Sequence, residues 1–95
     1  MPRIRCFLIA GLELWFNPDD HMPPHFHARK PGEWVVKVDI DSSSEKNLVY
    51  EVVWCRGVRR ILGTYRVQLA QMVAAHRAEL VAEWDQRVLV KEPTR

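Results

Sequence analysis

The period of the apolar residues changes once along this chain, at Gly63, and that change limits the folds open to it. Ahead of it the apolar residues alternate. Ile4, Cys6, Leu8, Ala10, Leu12, Leu14 and Phe16 share one parity while Arg3, Arg5, Gly11 and Glu13 take the other. A period of two over that length predicts a long strand with one face on a core, bent or divided at Gly11. Behind Gly63, the residues Tyr65, Leu69, Met72, Val73, His76, Leu80 and Trp84 recur at spacings of three and four. That is the stripe of an amphipathic helix.

Turn chemistry divides the first part further. Asn17-Pro18-Asp19-Asp20 reads as a turn, and Pro23-Pro24 keeps the following chain extended. A second strand is expected from His25 to Arg29, closed by Lys30-Pro31-Gly32-Glu33. A third runs from Trp34 to Ile40 with Trp34, Val36, Val38 and Ile40 on one face. Asp41 to Ser44 is a polar loop, and Leu48 to Trp54 a fourth strand with Leu48, Tyr50, Val52 and Trp54 sharing a face. Thr64 is the expected N-cap of the helix, its hydroxyl accepting an orphan backbone N–H. The helix should end between Trp84 and Val90. The fold class expected is α+β: a small antiparallel sheet of three to four strands with one C-terminal helix on one face.

The 95 residues make a single domain, 1–95, with Lys91 to Arg95 as a frayed tail. Apolar residues at 47% and charged residues at 27% exclude a disordered chain. A net charge of +2 is too small to argue for nucleic acid, although Arg56, Arg59, Arg60 and Arg66 cluster and could meet phosphate or an acidic protein. The two cysteines, Cys6 and Cys55, share no metal-type or redox-type spacing. No apolar run approaches the length of a membrane span, and nothing reads as a signal peptide, so a cytoplasmic protein with free thiols is expected.

The four histidines carry the distinctive chemistry. His25 and His27, two apart on a strand, leave the same face. His21 precedes them in a loop, and His76 lies on the apolar stripe of the helix. Imidazoles suit zinc or another divalent transition metal, and three with a water make an open catalytic site. The candidate ligands are therefore His21, His25 and His27, with His76 joining from the helix. Asp19, Asp20 and Glu33 are candidates for a further ligand, an orienting group or a base. Two other readings stand beside the metal one. The first is an anion site in which His25 and His27 act with Arg29. The second is a hydrogen-bonded latch between loop, strand and helix. The Ser42-Ser43-Ser44 run has no His or Asp at telling spacing, and no glycine-rich phosphate loop is present.

Asp20-His21-Met22-Pro23-Pro24-His25-Phe26-His27-Ala28, followed far downstream by His76-Arg77-Ala78-Glu79-Leu80 and Trp84, resembles the bacterial domain of unknown function 4160 family. The resemblance covers most of the chain. It departs in the longer Ser42 to Gly63 stretch, and at Met72, where the family carries a tryptophan. It implies that His21, His25, His27 and His76 belong together, and it brings no activity. It also implies a neighbouring gene for a second small protein, a pairing that looks like a toxin–antitoxin or regulatory module.

Two functions follow as expectations. One is a small binding or regulatory module working with a protein partner, favoured by size, by the basic cluster and by the lack of a complete catalytic set. An apolar patch left exposed around Trp15 or Trp54 would mark it. The other is a metal-dependent hydrolase of nuclease or phosphoesterase type using the histidines. No membrane partner is expected, and oligomeric state is not readable.

Overall fold

Pro31 and Gly32 close the central hairpin. Gly32 takes φ 78°, a backbone conformation open to glycine, and the Glu33 amide donates to the Lys30 carbonyl at 2.9 Å. The turn joins β2 (His25–Lys30) to β3 (Trp34–Asp39), antiparallel, with Phe26 opposite Val38 and Ala28 opposite Val36. β1 (Glu13–Trp15) pairs with β2, and β4 (Tyr50–Cys55) with β3, so the strand order β1-β2-β3-β4 follows the chain. One helix, α1 (Tyr65–Trp84), comes after the sheet. The computed structural model describes residues 3–17, 23–57 and 62–86. Asp19, Asp20, His21, Arg59, Arg60 and the tail expected at 91–95 lie outside the described residues.

The α+β architecture is therefore a four-stranded antiparallel meander with a C-terminal helix. Leu14, Phe26, Ala28, Val36 and Val38 form the inner face of the sheet, and Leu69, Val73, Leu80 and Trp84 of α1 complete the same core. Each such buried large apolar side chain contributes about 1.5–3 kcal/mol. The direction of α1 is set by its ends. Tyr65 meets Trp34 edge-on at 6.1 Å, whereas Trp84 meets Phe16 at 5.9 Å and His25 at 5.3 Å. The helix thus runs from the hairpin turn toward the opposite end of the sheet. Arg77 fastens it to the β3–β4 connection by donating to the Ile40 and Ser43 carbonyls. Ser43, itself buried, ties that connection internally by exchanging hydrogen bonds with the Val49 backbone.

Three expectations are corrected. The first segment is not one long strand. Ile4, Phe7 and Ile9 are buried and Leu8 is 83% exposed, so the alternation does not hold from Ile4 to Phe16. Gly11 adopts φ 89°, the Leu12 amide bonds the Ile9 carbonyl, and the arm folds back until Arg3 bridges Trp15. Thr64 occupies the N-cap position but takes helical angles, and its hydroxyl makes no capping bond. The Tyr65 and Arg66 amides are satisfied instead by the Leu62 and Gly63 carbonyls. Finally, Val52 and Trp54 do not share a face in β4. Val36 faces Val52 while Val35 faces Trp54, so Val53 is the extra residue of a bulge that reverses the parity.

Candidate functional site

His25, His27 and Arg29 occupy alternate positions of β2, on the face opposite to Phe26 and Ala28. Register places Trp15 and Lys37 on either side of His27, and Glu13 and Val35 on either side of Arg29. Both histidines are buried, each 8% exposed. His27 stacks on Trp15 with centroids 5.3 Å apart and planes 18° apart. His25 lies 5.6 Å from His27 and against Trp84. Polar contacts orient both rings. His25 Nδ1 lies 2.9 Å from the Pro23 carbonyl, which fits the tautomer donating from that nitrogen. Trp15 Nε1–H donates to Asn17 Oδ1 at 3.0 Å, and Asn17 Nδ2 approaches His27 Nε2 at 3.4 Å. The pair is thus a clamped aromatic cluster in which each imidazole has a fixed orientation.

His76 is elsewhere. It sits two turns before Trp84 on α1, at the one residue inside the helix with non-helical angles, φ −117° and ψ 21°. Its ring stacks on Phe7 at 5.4 Å, and its Nδ1 lies 2.5 Å from Glu79 Oε1. Cys6 completes this second group: a ligand atom from each of Cys6, His76 and Glu79 lies within 4.8 Å of the others. Glu83, one turn beyond Glu79, accepts the Arg5 amide at 2.9 Å and meets the Cys6 thiol. Burial, together with the carboxylates of Glu83 and Glu79, pushes that thiol up to about 12 from an ordinary 9.0. Among the described residues, then, the histidines separate into a strand pair and a helix histidine with different neighbours.

The remaining candidates disperse. Glu33 lies in the hairpin turn beside Lys30 at 3.6 Å, at the far end of β2 from His25. Arg29 is engaged by the Glu13 carboxylate. Arg56 follows β4 and is exposed, and its amide donates to the Glu33 carbonyl. Arg66 opens α1 with its guanidinium 5.6 Å from the centre of the Tyr50 ring. Cys6 and Glu79 are not among the candidate ligands read from the sequence, although Glu79 lies in the His76-Arg77-Ala78-Glu79-Leu80 motif. The spacing His76-x-x-Glu79 on a helix was a signal for the second of them, since i and i+3 share a face. Cys6 gave none, because its partners lie some seventy residues away on another element.

Besides Leu8, four large apolar side chains are exposed among the described residues. Val52, Val53 and Trp54 of β4 are 39%, 57% and 49% exposed, and Val67 near the start of α1 is 58% exposed. Among the described residues, β4 pairs only with β3.

A four-stranded antiparallel meander followed by one helix, with a clamped, buried histidine pair on β2, defines a small α+β domain. The family model described as domain of unknown function DUF4160 matches residues 12–85, and the chain belongs to that family. No curated protein and no solved structure matches it. Among the described residues, no helix is long and apolar enough to cross a membrane.

Proposed function

We propose that this protein is a binding module that works with a small protein partner, the product of an adjacent gene in a regulatory or toxin–antitoxin-like pair. The observation that carries this reading is the exposed apolar edge formed by Val52, Val53 and Trp54. A strand edge of this kind offers backbone donors and acceptors to an added strand, and Trp is the residue type that most often anchors an interface. The occupant is an extended segment of the partner, apolar where it meets Trp54 and acidic where it meets Arg56 and Arg66. A second copy of the chain fits less well, because the Val53 bulge breaks the regular ladder that two copies of β4 would need. The two free cysteines are consistent with work in a reducing cytoplasm. The alternative is a metal-dependent hydrolase using the histidines, and the exposed apolar edge favours the binding module over it.

The test is co-expression with the product of the neighbouring gene, followed by a titration of the purified proteins. Trp54→Glu should weaken the complex by at least about thirtyfold, the value of one interface anchor. A His25→Ala/His27→Ala variant should bind as the wild type does. No complex at micromolar concentrations, or a complex that Trp54→Glu leaves intact, would sink the reading.

A further inference from the structure

The Cys6, His76 and Glu79 group is not explained by a binding edge on the other side of the sheet order. We infer that it is a metal site, formed where the N-terminal arm crosses the second half of α1, for a divalent transition ion of zinc's type. Three observations carry this.

The first is proximity. Sulfur, nitrogen and oxygen donors from the three side chains already lie within 4.8 Å of one another. Ligand atoms around one tetrahedral zinc sit roughly 3.3–3.7 Å apart, given bonds of about 2.0–2.3 Å. The present separations differ from that range by roughly 1 Å, the scale of a side-chain adjustment. The second is the donor set. A thiolate, an imidazole and a carboxylate together suit zinc or cobalt, whereas magnesium and calcium take oxygen alone. The third is placement. His76 and Glu79 present from one helical face, and the His76 ring is held by Phe7 from the same arm that carries Cys6. Glu83 borders the group and adds negative charge beside the position a cation would take.

Binding takes the sulfur as thiolate: the S–H bond breaks, a metal–sulfur bond forms, and the proton leaves to solvent. The ion also replaces the short hydrogen bond between His76 and Glu79, or uses the other ring nitrogen. Three protein ligands leave a fourth position for Glu83 or a water. The strand pair His25 and His27 has no part in this site.

The experiment uses the full chain carrying Cys55→Ser, stripped with chelator, and cobalt(II) and then zinc as probes. One equivalent of cobalt should bring up a thiolate-to-metal charge-transfer band, and zinc should displace it. Cys6→Ser should abolish the band. Cys6→Ser, His76→Ala and Glu79→Gln should each weaken zinc by at least about tenfold, and His25→Ala/His27→Ala should weaken it by none. Circular dichroism of each variant separates lost folding from a lost ligand, and Glu79→Gln serves if His76→Ala does not fold. Absence of the band in the parent protein overturns the site. So does a band that survives Cys6→Ser, or zinc affinity lost only with His25 and His27.

Discussion

Cys6 shows how far a side chain's chemistry depends on what folds against it. The thiol lies half-buried between an arm and a helix, with two carboxylates beside it, and both burial and like charge disfavour the thiolate. The folded protein therefore holds this proton more tightly than the unfolded chain. The stabilisation is complete below the unfolded value of 9.0 and is lost as the pH rises from there toward about 12. In the metal-free Cys55→Ser protein, an alkylating reagent at pH 8 should modify Cys6 markedly more slowly in the native state than in urea, because the folded protein holds less of the reactive thiolate. Stopped-time mass spectrometry measures it, and equal rates would mean that the thiol is not held as described. At this scale the sequence was partly legible. The two-residue spacing of His25 and His27 placed both on one face, because strand geometry is local. Nothing local joins Cys6 to Glu79 or His76, and that group is produced by packing alone.

Among the elements, the first segment teaches the most. Its even positions alternate as a strand should, yet Phe7 and Ile9 on the other parity join Ile4, Leu14 and Phe16 in the core while Leu8 is exposed. The reason is Gly11, whose φ of 89° turns the chain and whose missing side chain makes room for Tyr65. A Cβ there would lie 2.6 Å from Tyr65 Oη. Gly11→Ala should cost about 1–2 kcal/mol from the backbone conformation, with the contact adding to it. Urea unfolding should show a lower midpoint at unchanged slope. In a Tyr65→Phe background the penalty should shrink to the backbone part, and a full-sized penalty there would assign the whole effect to φ. The central hairpin and α1 were readable because turn residues and periodicity agreed with burial. β4 was not, since a bulge changes parity without leaving any mark in its run of β-formers.

For the whole molecule, the sheet is unequal at its two sides. β1 is backed by the returning arm, which bridges Trp15 from Arg3, while β4 ends the meander with an apolar edge. A residue kept for binding and not for folding should be replaceable at little cost to stability. Trp54→Glu should therefore shift the unfolding free energy by no more than about 0.5 kcal/mol even as it removes the partner complex. A loss of several kcal/mol would make Trp54 a structural residue and would undercut the binding edge. The general architecture was legible in the one change of period at Gly63. The separation of the histidines into two places was not, because it depends on where along the sheet each turn of the helix comes to rest.

The interruption of α1 at His76 has a consequence for how the molecule opens. Residues Tyr65–Ala75 are tied to the hairpin end of the sheet through Trp34 and Lys30, and Arg77–Trp84 to the far end through Ile40, Ser43 and Phe16. A helix broken between two separate moorings transmits motion poorly from one half to the other. Amide hydrogen exchange should therefore show different opening free energies on the two sides of His76, and equal protection would mean one cooperative helix; an ion spanning Cys6, His76 and Glu79 would sit on the seam between them.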